Sequence, residues 1–503
     1  MGQQQKPWAI AIGILLGWGL IVPMAATAKP LQTKQLIDGL YSENLEAASA
    51  FQQGVSAYHN LELAKAETFL LQAIQSDPFI GMAYYLLGNV YLQEDRLNDA
   101  ISRYQEAVTL EPMLGVAYYN LGIAFYRQGQ PQAALDPFER AILLEPKFAP
   151  AHYNLALVLD SLGSYDAASQ AYRQSLLLDD QNAQAYYNLG LIVNRQGSAD
   201  EALGLFERAI ALEPEFADAY YHQGLIYARR SQWPEALNAL GNAAALEPEN
   251  ALAQYNLGLV YLELENYRAA ANRLERTVAL DPTNANAYRQ LGVAQIESGR
   301  PAEAIAALQT AGELLPHDAR MYYNLGIAYQ DAEQYQEAIA QYNRAIDLDP
   351  SFIDAYFNLG VSQFELAYLE ARQEALTMRR VANAEAIASF NTQTRNRYQE
   401  AVDTLQYALE LYSTAENFER VAEIREYLEM TVIPTMNVGL EIEAAPAIDI
   451  PITPPPARLD PDPFSLPEPM PSDAPPPEPQ EMIPAFPEAS PASSIFDGAL
   501  PPR

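Results

Sequence analysis

The chain has 503 residues, is 49% hydrophobic and carries a formal net charge of −34, with 32 tyrosines and no cysteine. That length and hydrophobic share suit a folded protein with ample core, while the missing thiols exclude disulfides, thiolate zinc sites and cysteine nucleophiles. The acidity disfavours nucleic acid, whose phosphates need clustered Lys and Arg, and disfavours anionic membrane surfaces for the same reason.

At the N-terminus, Lys6 precedes an apolar run from Trp8 to Met24, followed by Ala26-Thr27-Ala28. A charged start, a hydrophobic middle and a small-residue cleavage site describe an export signal. Residues 1–28 are therefore read as a signal peptide, with Pro23 breaking the helix just ahead of cleavage before Lys29. The alternative is an N-terminal membrane tether, because residues 8–28 are about long enough to span a bilayer. The expected location is a bacterial periplasm or a comparable lumen. A short lead-in helix is expected over residues 29–46.

From residue 47 the sequence repeats. Gly54, Gly88, Gly122, Ala156, Gly190, Gly224, Gly258, Gly292, Gly326 and Gly360 stand 34 residues apart. Two further columns run in phase with them, one through Ala100, Ala134, Ala168 and Ala202 and one through Pro112, Pro146, Pro214 and Pro248. Such a fixed period marks a repeat architecture. Nine repeats of 34 residues fill 47–352, and a tenth begins at 353. Each reads as two helices. In the third repeat, Val116 to Arg127 has helical apolar spacing and Gly129 ends it. Pro131 then suits a first helical turn, and Glu145-Pro146 ends the second helix because the residue before proline avoids helical angles.

Tyr118, Leu121, Gly122, Phe125, Ala134, Phe138, Ala141 and Pro146 resemble the signature of the tetratricopeptide repeat family, with Tyr in place of the usual first Trp. The resemblance implies an all-α, right-handed superhelical solenoid of about nine to ten helical hairpins, in which stacking supplies the core that one hairpin lacks.

The tenth repeat is interrupted. Its second helix resumes at Tyr398, with Ala401, Leu405 and Ala408 in the repeat spacing, so 353–414 forms an interrupted repeat with a helical insertion. That insertion holds Arg372, Arg379, Arg380, Arg395 and Arg397, the one basic cluster of an acidic chain. It reads either as a solvated helix pair neutralised by local Glu or as a secondary docking site for an acidic partner. A capping helix near Ala415 to Thr431, with its connector, is expected over 415–444. From 445 onward, 19 of the 36 prolines fall in 59 residues, a disordered and partly polyproline-II tail.

A helix turns roughly 100° per residue, so repeat positions 4, 7, 8 and 11 face the partner helix and positions 2, 6, 9 and 13 face the opposite way. In a stacked superhelix that second side lines the concave groove. Position 6 reads Leu86, Asn120, Asn154, Asn188, His222, Asn256, Gln290, Asn324 and Asn358. Asn is a mediocre helix former, and its amide both donates and accepts hydrogen bonds. The column reads as a ladder able to hold an extended backbone without reading its sequence, and it resembles the Asn ladder in the repeat region of O-linked N-acetylglucosamine transferases. The alternative is that Asn was copied with the repeat and stays solvated. Position 9 is an apolar strip from Ile123 to Val361, and position 5 a row of tyrosines including Tyr119, Tyr221 and Tyr323. Arg320, Asn324 and Asn358 resemble part of the family's carboxylate clamp.

His59, His152, His222 and His317 show no metal-ligand spacing, and no phosphate-cradling loop or nucleophile elbow is present. The sequence thus points to a non-enzymatic scaffold or assembly factor that binds other proteins or extended peptides. It calls for no cofactor, metal, nucleic acid or small-molecule substrate. The alternative function is a structural subunit of envelope secretion or polymer-export machinery.

Overall fold

The computed structural model describes residues 44–378 and 384–438. The signal segment, Arg379, Arg380 and the proline-rich tail lie outside the described residues. Among those described, every regular element is helical, and no helix is long and apolar enough to cross a membrane. The chain divides into two compact units at Leu178/Asp179.

The first unit stacks four hairpins: α1 (Leu45–His59) with α2 (Leu63–Ser76), α3 (Gly81–Gln93) with α4 (Leu97–Leu110), α5 (Gly115–Arg127) with α6 (Pro131–Leu144), and α7 (Ala149–Ser161) with α8 (Tyr165–Leu178). The second stacks six. They are α9 (Ala183–Arg195) with α10 (Ala199–Leu212), α11 (Ala217–Arg229) with α12 (Trp233–Leu246), and α13 (Ala251–Glu263) with α14 (Tyr267–Leu280). Then come α15 (Ala285–Glu297) with α16 (Pro301–Leu314), α17 (Ala319–Asp331) with α18 (Tyr335–Leu348), and α19 (Ile353–Met378) with α20 (Ala384–Thr414).

The hairpin follows from three sequence devices. The first helix closes when the residue after its last turn adopts left-handed angles. Gly129 does so at φ 77°, while the next amide, of Gln130, bonds back to the Phe125 carbonyl at 2.9 Å. Gly163, Gly197 and Gly299 repeat this, but Asp95, Ser231, Glu265 and Glu333 occupy the same turn with φ between 54° and 58°. A side chain there costs roughly 1–2 kcal/mol. Next, Pro131 and Pro301 open second helices at the one position where a missing amide does no harm. Finally, the column glycines let the second helix press in. A Cβ on Gly122 would lie 2.8 Å from the Phe138 ring, and one on Gly292 would lie 2.4 Å from Leu308.

Among the described residues, the hydrophobic clusters of the second unit follow one another along the stack. In the second unit one hydrophobic cluster joins Leu240 to Leu257 and Val260, the next joins Leu259 to Leu274 and Leu291, and the next joins Leu308 to Tyr323, Tyr342 and Leu359. Each hairpin is held by its neighbours, as expected of a solenoid.

At the interrupted repeat, a Cβ on Gly360 would lie 2.7 Å from Leu405 Cγ, the contact that other repeats make to a residue 16 positions on. The added residues therefore lengthen both helices, giving α19 26 residues and α20 31. Glu416, at φ 57°, turns the chain, and the Asn417 side chain caps α21 (Phe418–Tyr427) by accepting from the Arg420 amide. A π-helical turn (Leu428–Val432) and α22 (Ile433–Val438) follow. Ile424 and Val432 close the end of the stack against Phe364, Tyr398 and Leu405.

Candidate interaction face

The position-6 carboxamides are buried inside the stack. Asn120, Asn154, Asn188, Asn256, Gln290, Asn324 and Asn358 are each at most 6% exposed. Four of them, Asn120, Asn154, Asn256 and Asn358, use their donors between successive first helices. Asn154 Nδ2 donates to the Tyr119 hydroxyl at 2.9 Å, Asn256 Nδ2 to the Tyr221 hydroxyl at 3.2 Å, and Asn358 Nδ2 to the Tyr323 hydroxyl at 2.9 Å. Asn120 Nδ2 donates instead to Asn89 Oδ1 at 2.8 Å, an oxygen that also accepts from Tyr104. Asn188 Oδ1 accepts from Gln184 Nε2 at 3.1 Å.

The expectation that these amides grip an extended ligand is therefore corrected. A tyrosine at position 5 is long enough to reach the asparagine 35 residues on, and the pair forms a polar seam sealed between hairpins. Burial pushes the Tyr119 and Tyr323 hydroxyls well above their ordinary range, so they stay protonated. His222 takes the same rung among the rings of Tyr187, Phe206 and Tyr221, with centroids 5.2–6.1 Å away. Burial, with help from Arg229, pulls its pKa down to about 4, so it is neutral near pH 7.

One rung breaks the pattern. Position 5 of the eighth repeat is Arg289, which is 7% exposed and whose Nε has no hydrogen-bond partner. Asn324, the amide it should serve, is fully buried with neither Oδ1 nor Nδ2 partnered.

The partial clamp does not assemble either. Arg320 is exposed and lines a cleft of about 370 Å³ with Asp349, Ser351, Asp354, Tyr412 and Asn417. Asn324 and Asn358 are enclosed, and Tyr412 donates its hydroxyl to Asp354. Of the arginine cluster, Arg372 and Arg395 are exposed, while Arg397 spans the hairpin to Glu370 at 3.2 Å and Glu374 at 3.3 Å. Arg397 thus serves the helix pair itself.

What the first helices of the second unit present to solvent are positions 2 and 13. Asp218, Leu252, Asn286 and Arg320 are exposed at position 2, and Arg195, Arg229, Glu297 and Asp331 at position 13. At position 9, Leu191, Leu225 and Val293 are half-buried, whereas Leu259 and Ile327 are covered. Position 13 becomes acidic from the seventh repeat on, through Glu263, Glu297, Asp331 and Glu365. Burial is the main cause that pushes all four carboxyl pKa values up, Glu365 to about 7. This column has the 34-residue period, so its signal is carried by the sequence beside that of the asparagines. Among the described residues no group of three or more His, Cys, Asp or Glu could hold a metal ion.

Sequence models of the tetratricopeptide repeat match 88–129, 224–265 and 331–366, then 153–215 and 255–319, and also 115–148 and 205–238. No curated protein matches the chain. Among solved structures, a MamA protein is 30% identical, covering 34% of this chain and 94% of its own at a TM-score of 0.32. YrrB, described as a TPR protein with an unusual peptide-binding site, is 26% identical, covering 37% of this chain and 95% of its own at 0.34. PilF of Pseudomonas aeruginosa is 19% identical, covering 43% of this chain and 97% of its own at 0.38. With family matches over more than half its length, the chain belongs to the tetratricopeptide repeat family, a fold of protein-interaction scaffolds.

Proposed function

We propose that this scaffold binds a partner protein by holding an extended segment along positions 2 and 13 of its first helices. One observation carries the reading. Positions 7 and 8 hold nearly the same residues from repeat to repeat and are buried, whereas position 2 differs from each repeat to the next through Gln184, Asp218, Leu252, Asn286 and Arg320, and position 13 switches from Arg195 and Arg229 to the carboxylates Glu263, Glu297 and Asp331. A constant interior sets the spacing of the rungs, and a variable surface on that spacing can select a sequence. Stacked helices lie ~8–10 Å apart and an extended chain advances ~3.3–3.6 Å per residue, so one rung serves roughly three ligand residues. The carboxamides build the rungs and leave recognition to their neighbours.

A photo-crosslinking residue placed at Leu252 or Asn286 should trap a discrete partner, and the same residue at Glu235, exposed on α12, should not. Equal trapping from Glu235 refutes the assignment of the face. Export through residues 1–28 belongs to the same proposal, supported by Lys6, the apolar run and Ala26-Thr27-Ala28. Mass spectrometry of the exported fraction tests it: a start at Lys29 supports cleavage, and an intact Met1 in the membrane fraction supports the tether.

A further inference from the structure

Position 13 of one repeat meets position 15 of the repeat before it. In the first unit that meeting is an ion pair, with Arg127 Nη2 2.9 Å from Asp95 Oδ1, 32 residues apart. In the second unit the same 32-residue register places Glu297 against Glu265 and Glu365 against Glu333, and each pair repels electrostatically. Like charges stand where the fold elsewhere builds a salt bridge.

Two further observations show that the arrangement lacks a cation. Among the described residues, none of Glu265, Glu297, Asp331, Glu333 and Glu365 has a Lys, Arg or His partner within ion-pair distance. Glu365 is only 8% exposed, faces Glu333, and its Oε1 has no hydrogen-bond partner. Burying an unpaired carboxylate is costly. Glu265 and Glu333 also hold left-handed turns at φ 55° and 57°, where four other turns use glycine. Asp95 accepts the same strain, and it holds Arg127 there. A tyrosine completes each set: Tyr267 feels the charges of Glu297 and Glu265, and Tyr335 those of Glu365 and Glu333. Two carboxylates beside an aromatic ring make a site for a guanidinium or ammonium group.

Resting on the proposed interaction face, we propose that Glu265–Glu297–Tyr267 and Glu333–Glu365–Tyr335 are two copies of one cation pocket that bind a basic, extended segment of a partner protein. The pockets lie two repeats apart. At ~8–10 Å per rung and ~3.3–3.6 Å per residue, their two Lys or Arg side chains stand roughly five or six residues apart in the ligand. The chain's own proline-rich tail has only Arg458 and Arg503 and cannot supply such a pair. Asp331, between the pockets, lets the intervening residues carry a third positive charge.

The test uses the full chain and fluorescence anisotropy with a labelled Gly-Ser peptide bearing two arginines about six residues apart. The four-site variant Glu265→Gln, Glu297→Gln, Glu333→Gln, Glu365→Gln should bind it at least tenfold more weakly. A charge-matched control, Glu207→Gln, Glu215→Gln, Glu235→Gln, Glu249→Gln, should bind like wild type, and a glutamine-for-arginine peptide should not bind. Equal loss in both variants, or no dependence on arginine spacing, overturns the proposal, because general acidity then explains the binding. Calcium that blocks the peptide and raises the melting temperature of wild type but not the four-site variant overturns it in favour of a metal. Self-association abolished by the same four substitutions overturns it in favour of a second copy. If the peptide fails while Leu252 and Asn286 still crosslink a partner, the face stands and only the basic ligand falls. If crosslinking fails too, both fall.

Discussion

Replacing Arg289 with tyrosine should stabilise the second unit. The three intact rungs show what is missing: a tyrosine hydroxyl 2.9–3.2 Å from the asparagine amide of the next repeat. At Arg289 that hydroxyl is absent, and the fully buried Asn324 has neither amide atom partnered. A restored bond contributes about 0.5–1.5 kcal/mol, and a polar group left unsatisfied in the interior costs about 1–3 kcal/mol. These are two views of one interaction, so Arg289→Tyr should gain about 1–3 kcal/mol. For a unit of this size that corresponds to a melting-temperature rise of roughly 2–10 °C. Repeat arrays open locally, so amide hydrogen exchange resolved to α15 and α17 is the sharper assay, and protection should rise there first. Arg289→Leu removes the guanidinium without supplying an oxygen and should gain less. Tyr323→Phe strips Asn358 of its acceptor and should lose about 1–3 kcal/mol. If Arg289→Tyr is no more stable than Arg289→Leu, or if Tyr323→Phe is silent, the tyrosine–asparagine seam does not hold the stack as argued.

Glu365, whose pKa is raised from 4.5 to about 7 by burial and by the Glu333 charge, and whose own charge acts on Tyr335, Tyr398 and Tyr427, should make stability fall as pH rises. Its contribution is complete below pH ~4.5 and lost through pH ~7, so Glu365→Gln should match wild type in acid and exceed it by up to about 3 kcal/mol at pH ~8. Denaturation at the two pH values decides it, and an unchanged gap defeats the claim. His222 behaves in the opposite sense. Its pKa falls from 6.5 to about 4, so stability present above pH ~6.5 drains away as pH drops toward ~4, by up to about 3 kcal/mol. His222→Asn should flatten that slope in acid titrations followed by circular dichroism, and an equally steep slope would show that other groups dominate. Gly122→Ala drives a Cβ into the buried Phe138 ring at 2.8 Å and should cost about 1–3 kcal/mol despite alanine's better helix propensity. A melting temperature at or above that of wild type would mean the ring moves aside.

The 34-residue columns determined the hairpins, because each column residue acts locally. Gly122 admits Phe138, Gly129 permits the left-handed turn, and Pro131 opens a helix, and all three effects lie within one repeat. The side of the helix that carries positions 2, 6, 9 and 13 was equally legible, since it depends only on helical pitch. Which of those positions reaches solvent was not. The fate of Asn154 depends on Tyr119, 35 residues earlier, and on how closely the glycine column lets neighbouring hairpins approach. Periodicity assigns a side chain to a face but leaves open how deep that face lies. In the same way the sequence displays Glu333 and Glu365 as two of 64 acidic residues, whereas the register between consecutive first helices sets one against the other and buries the second. Local chemistry wrote the repeat into the chain, and packing distance between repeats decided which polar groups became mortar and which were left facing outward.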